Sequence, residues 1–98
     1  MSGGETYVYS LATASPTPFI NNTNISYSIA KPGHVSLAIY DICGRLVRIL
    51  VEEKKDAGFY RVSWGGNDNN NRKVANGVYF IKLTSGNFVS VKKVTLVR

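Results

Sequence analysis

Apolar and polar residues alternate with a period of two along most of this chain, the pattern of strands whose successive side chains point to opposite faces. Ile25, Tyr27 and Ile29 alternate with Asn24, Ser26 and Ser28, and Val35, Leu37 and Ile39 recur at the same spacing. Tyr60, Val62 and Trp64 alternate with Arg61 and Ser63, and Tyr79, Ile81 and Leu83 share a further face. The pattern predicts seven strands, near residues 6–11, 24–29, 34–41, 45–51, 58–64, 77–85 and 88–97. No window shows a sustained apolar stripe at helical spacing with caps. The stretch from Gly44 through Leu46, Val47, Ile49, Leu50 and Val51 to Lys55 is read as a strand running into an exposed turn. In the last strand the alternation changes phase near Lys92-Lys93, which predicts a bulge there.

The segments between these runs carry turn chemistry. Lys31-Pro32-Gly33 fits a type II turn, in which proline sets φ and glycine accepts a positive φ. Asp41-Ile42-Cys43-Gly44 fits a tight turn with Gly44 left-handed, and Asn76-Gly77 and Ser85-Gly86-Asn87 read as hairpin signals. Residues 65–73 form a polar loop dense in asparagine. Short strands at this spacing predict an all-β fold, a seven-stranded antiparallel immunoglobulin-like β-sandwich. The spacing of two cysteines about a tryptophan that marks antibody-type domains is missing.

Composition narrows the function classes. The 98 residues suit one domain, and 44% hydrophobic content is enough for a core. One cysteine, Cys43, rules out an intramolecular disulfide. No apolar run approaches the roughly 18 residues of a membrane span. Met1-Ser2-Gly3-Gly4 lacks the basic and apolar regions of a signal peptide and reads as a tag or linker. The net charge is +6, from 12 Lys and Arg against 6 Asp and Glu. The basic residues are scattered singly or fall in the pairs Lys54-Lys55, Arg72-Lys73 and Lys92-Lys93, with no aromatic-basic motif, so nucleic acid is not expected as a partner.

Candidate chemistry is sparse. His34 is the only histidine and thus the only base for a nucleophilic site, with Cys43 across a predicted hairpin, but the motif context of a nucleophile is missing. We expect His34 at a strand edge and Cys43 buried as a small hydrophobe. Two such residues cannot supply four zinc ligands. Asn67-Asp68-Asn69-Asn70-Asn71 offers one carboxylate and no downstream glutamate, so it reads as a turn whose side chains cap backbone amides. Neither a cofactor nor a metal is expected. Two N-glycosylation sequons begin at Asn21 and Asn24 and carry little weight. Aromatic residues at period two are explained as core before they are explained as a sugar platform.

A series of short motifs runs in order from Ser15 to Arg98, beginning with Pro16-Thr17-Pro18-Phe19 and Thr23-Asn24-Ile25-Ser26-Tyr27-Ser28-Ile29. They continue through Gly33-His34-Val35-Ser36-Leu37-Ala38-Ile39-Tyr40-Asp41, Gly44-Arg45, Ala57-Gly58-Phe59-Tyr60 and Trp64-Gly65-Gly66-Asn67-Asp68. They end with Gly77-Val78-Tyr79-Phe80-Ile81-Lys82-Leu83 and Lys92-Lys93-Val94-Thr95-Leu96-Val97-Arg98. In this order and spacing the chain resembles the C-terminal sorting domain of bacterial type IX secretion cargo, and it shares much of the pattern of the immunoglobulin-like domain of flagellar hook-capping proteins. Thr17 replaces the family's usual asparagine, Gly65 its aspartate, and Asn71 a glycine, a position where asparagine tolerates the left-handed conformation.

The resemblance implies a non-enzymatic C-terminal sorting module that directs a larger secreted protein through the outer-membrane machinery to the cell surface, by way of the periplasm. The implied partners are that machinery, a sortase-like protease, and the cargo N-terminal to the domain. The implied recognition residues are Gly77, Val78 and Tyr79, and Lys92, Lys93 and Val94 on the last strand. Residues 1–14 are expected to be a tag or linker that includes the first strand, and residues 15–98 the sorting domain. The alternatives are an immunoglobulin-like assembly domain, as in hook-capping proteins, and a carbohydrate-binding or spacer module of a secreted enzyme.

Overall fold

The structure is a computed structural model and describes residues 6–98. The expected tag at Met1 to Gly4 lies outside the described residues. The strands are β1 (Ser10–Leu11), β2 (Thr23–Ile29), β3 (Gly33–Tyr40), β4 (Leu46–Lys55), β5 (Gly58–Trp64), β6 (Gly77–Ser85) and β7 (Phe88–Leu96). They form a three-stranded sheet, order β1-β2-β5, and a four-stranded sheet, order β4-β3-β6-β7, with every pair antiparallel. This is the all-β, immunoglobulin-like sandwich expected from the alternation.

The inward faces are those the pattern predicts. Ile25 and Ile29 on β2, Val35, Leu37 and Ile39 on β3, and Ile81 and Leu83 on β6 are fully buried between the sheets. Trp64, Phe19, Val94 and Leu96 close one end of this core. Burial of each large side chain contributes about 1.5–3 kcal/mol, the main term holding two sheets face to face. No described residue lies in a helix, so no helix here is long and apolar enough to cross a membrane.

Several expectations are corrected. The first strand is two residues long rather than six. Of residues 6–11 only Ser10 and Leu11 pair with β2, whereas Tyr9 leaves the sheet to stack on Phe88 at 5.2 Å. Gly33 is the first residue of β3 and has no positive φ, so Lys31-Pro32-Gly33 is not a type II turn. Asn76-Gly77 joins the asparagine-rich loop to β6 instead of closing a hairpin. Cys43 is exposed, because the turn from Asp41 to Gly44 projects beyond the sheet. The final strand stops at Leu96, since Val97 donates its N–H to the Phe19 carbonyl at 3.0 Å.

The expected bulge in the last strand is absent. The β6–β7 register runs without a shift from Gly77 opposite Leu96 to Ser85 opposite Phe88. The change of phase is one of residue type only: Ser90 and Lys92 take the inward side, and Val89 and Val91 the outward side. The irregularities sit in β4, where the register against β3 shifts between Leu37 and Ala38 and again between Ile39 and Tyr40. Each shift leaves one extra β4 residue, Leu50 and Val47, and both pack on the core. The run expected as a strand leading into an exposed turn is therefore a doubly bulged strand that continues to Lys55.

Candidate recognition surface on strands β6 and β7

Glycine at the first central position of a two-residue loop suits a primed hairpin turn. Gly86 fills that position between Ser85 and Phe88, with φ 57°. The hairpin sets the two sequence-predicted segments side by side. Gly77 lies opposite Leu96, Val78 opposite Thr95, Tyr79 opposite Val94, and Lys93 and Lys92 opposite Phe80 and Ile81.

The six residues are not equivalent. Val94 is fully buried and Tyr79 is 7% exposed, with its ring edge-on to Trp64 at 5.3 Å. The Tyr79 hydroxyl donates to the Ala75 carbonyl at 2.6 Å. Burial raises the Tyr79 phenol above its ordinary pKa, and the Asp41 charge adds to this. Tyr79 and Val94 therefore hold the core. Gly77 and Val78 are half-buried at the start of β6. Lys92 lies on the inward side, half-buried, and Lys93 is exposed on the outward side, so the pair presents one cation to each face.

Residues that the sequence reading passed over clamp the end of β7. Arg98 donates from Nη2 to the carbonyls of Gly66 at 3.1 Å and Val74 at 2.8 Å. Asn76 Nδ2 donates to the Arg98 carbonyl at 2.7 Å, and Arg98 N–H donates to Asn76 Oδ1 at 3.2 Å. Across the strand, Thr95 N–H donates to Thr17 Oγ1 at 3.1 Å and Phe19 N–H to the Thr95 carbonyl at 2.9 Å. These partners are 22 to 78 residues apart, beyond the reach of any local signal.

The other candidates separate in space. His34 pairs with Lys54 at one end of β3, its Nε2 against Glu52 Oε2, while Cys43 sits in the turn at the opposite end. In that turn Asp41 Oδ1 accepts from the N–H groups of Cys43 and Arg45, each at 2.9 Å, and Oδ2 accepts from Arg45 Nε at 3.0 Å. The Arg45 backbone bond first, then the Cys43 bond and the guanidinium, hold its carboxyl below the usual aspartate range.

Asp68 plays a similar part in the asparagine-rich loop. Its Oδ1 accepts from the N–H groups of Asn70 and Arg72, each at 2.9 Å, and Asn71 takes the left-handed conformation at φ 62°. Among the described residues no three His, Cys, Asp or Glu side chains converge. Trp64 is 1% exposed, with Nε1 donating to the Asn67 carbonyl at 2.9 Å, so it offers no platform to a sugar. Phe59 is 76% exposed but meets Tyr7 edge-on at 78°, which is not a flat aromatic row.

Two solved structures are similar to this chain. One is dimeric latent PorU from Porphyromonas gingivalis, with a TM-score of 0.67 and 19% identity over 99% of this chain and 10% of that one. The other is PorZ, a surface component of the type IX secretion system of the same organism, with a TM-score of 0.57 and 18% identity over 92% of this chain and 11% of that one. The chain thus spans about a tenth of each, and at these identities the likeness is one of fold. No curated protein matches it. The family model described as the FlgD Ig-like domain matches residues 21–87, from just before β2 to the β6–β7 turn. With more than half of its length matched, the chain belongs to the FlgD Ig-like domain family.

Proposed function

We propose that this domain is a non-enzymatic sorting module, which directs a larger secreted protein through an outer-membrane secretion machinery to the cell surface. The observation that carries the reading is the pairing of Gly77-Val78-Tyr79 with the β7 segment around Lys92, Lys93 and Val94. These are the segments that resemble the recognised part of type IX sorting domains; β7 is an edge strand of the four-stranded sheet, and β6 lies next to it. An edge strand with unpaired backbone groups is a common docking element. The likeness in fold to part of PorZ, a type IX surface component, supports the same reading. The partners would be the outer-membrane machinery, a sortase-like protease and the cargo. Lys92 and Lys93 would be the contact residues, while Tyr79 and Val94 keep the hairpin in register.

The test is a reporter with its own signal peptide, carrying residues 5–98 at its C-terminus, in a bacterium with a working type IX system and in a system-deficient strain. Reporter on the surface of the competent strain alone is expected, as is loss of export in a folded Lys92→Glu/Lys93→Glu variant. A folded fusion held in the periplasm of both strains would overturn the proposal. A second reading, an immunoglobulin-like assembly domain as in hook-capping proteins, is favoured by the family match over residues 21–87 and would then take its place.

A further inference from the structure

One face of an antiparallel sheet is commonly solvated and polar. The outer face of the four-stranded sheet departs from this. Cross-strand pairing sets Leu46, Tyr40, Phe80 and Lys93 in one row, and Ile49, Ala38, Lys82 and Val91 in the next. Ile42 in the adjoining turn is 72% exposed, Val89 55%, Val91 51%, Leu46 47% and Ile49 40%. A shallow depression of about 350 Å³ opens between the rows, lined by Tyr40, Ile42, Phe80, Lys82 and Val91 among others.

The two rows hold Lys82 and Lys93 and no carboxylate. Asp41, which also lines the depression, is paired with Arg45, and Glu52 lies in the row beyond, opposite Ser36, with its Oε2 against His34 Nε2. Lys82 sits 6.0 Å from the Tyr40 ring centroid, and neither it nor Lys93 has a carboxylate partner among the described residues. Lys54, opposite His34 at the far end, is also without one.

We propose that this face docks a partner polypeptide on which carboxylates alternate with apolar side chains. Apolar groups would cover Leu46, Ile49 and Val91, and carboxylates would meet Lys82 and Lys93. Charge complementarity selects this occupant. A second copy of this chain, with net charge +6, would bring lysine against lysine. An anionic membrane is recognised by clusters of about four to eight basic residues, and here the lysines are spread along the sheet. The proposal does not rest on the sorting reading and holds for any role of the domain.

The test uses the isotope-labelled 98-residue chain and two synthetic peptides in which valine and leucine alternate with aspartate and glutamate, or with lysine. The acidic peptide is expected to shift the resonances of Tyr40, Phe80, Lys82, Val91 and Lys93 saturably. A loss of about tenfold in affinity is expected for the lysine peptide and for the Lys82→Glu/Lys93→Glu variant. Lys82→Gln/Lys93→Gln serves should the first variant not fold. Absent shifts, shifts confined to another surface, or equal binding of both peptides would overturn the proposal. So would phosphatidylglycerol vesicles bound in preference to peptide, or dimerisation through this face in sedimentation.

Discussion

Asp41 ties the turn between β3 and β4 with three hydrogen bonds from a single carboxylate. Its lowered pKa means the folded chain holds this group ionised more readily than the unfolded chain does. The resulting stability is fully present above the ordinary aspartate value of about 3.9 and is lost as pH falls through the lowered folded value. Asp41→Asn keeps an acceptor but loses the charge. Its thermal midpoint is expected below the parent's near neutral pH, with the gap narrowing as pH falls below the ordinary aspartate value, as a series of melts would record. Equal gaps at both ends would assign the effect to geometry instead. A motif of Asp followed three residues later by Gly made this turn readable from sequence, because every partner lies within four residues. The exposure of Cys43 was not readable, because burial depends on what stands opposite the turn.

At the scale of the element, strand edges decide what the sheets can meet. The β4 edge is closed by the asparagine-rich loop. Asn69 N–H donates to the Val47 carbonyl at 3.0 Å, and Asn69 Oδ1 accepts from Ile49 N–H at 2.9 Å. Arg48 Nη1 reaches the Asp68 carbonyl at 2.7 Å. One asparagine thus imitates a neighbouring strand, which protects an apolar edge from pairing with another chain. Asn69→Ala is expected to cost about 0.5–1.5 kcal/mol in urea unfolding, the worth of one such hydrogen bond. Hydrogen exchange at the Ile49 amide should rise in the same variant, whereas the Leu83 amide in the sheet centre should not respond. Unchanged exchange at Ile49 would show that the loop does not guard the edge. The end of β7 is covered in a comparable way by Thr17 and Phe19, and Val89 to Lys93 has no such cover among the described residues.

For the whole molecule, residues 11–15 pack on the sandwich. Leu11 is 5% exposed and Ala14 2%, and Ser15 exchanges two backbone hydrogen bonds with Asn24, at 3.0 and 2.9 Å. Removing residues 6–15 is therefore expected to lower stability by more than the roughly 1.5–3 kcal/mol of one buried leucine. A chain begun at Pro16 with an unaltered melting temperature would show instead that this segment is an accessory. Charge and apolar surface also act at this scale, since the two apolar rows on the outer face of the four-stranded sheet are assembled from residues between Ala38 and Lys93 that no local pattern links.

Alternation alone determined the number of strands, the bounds of β5 and β6, and the inward faces of β2, β3, β5 and β6. Period two is a property of the strand itself and needs no partner to be read. The pairing of Gly77-Val78-Tyr79 with the β7 lysines follows nearly as directly, because the glycine turn at Gly86 sets the register. Tertiary structure decided the rest. The apolar outward valines of β7 looked like a slipped phase, yet the unbroken register with β6 held the strand straight. The apolar run in β4 carries two bulges, and the extra residues, Val47 and Leu50, pack on a core that only the assembled sheets create. The clamp of Arg98 on Gly66 and Val74 joins segments that meet only once the sheets have packed. Such contacts are set by which surfaces face each other, and sequence neighbours carry no record of that.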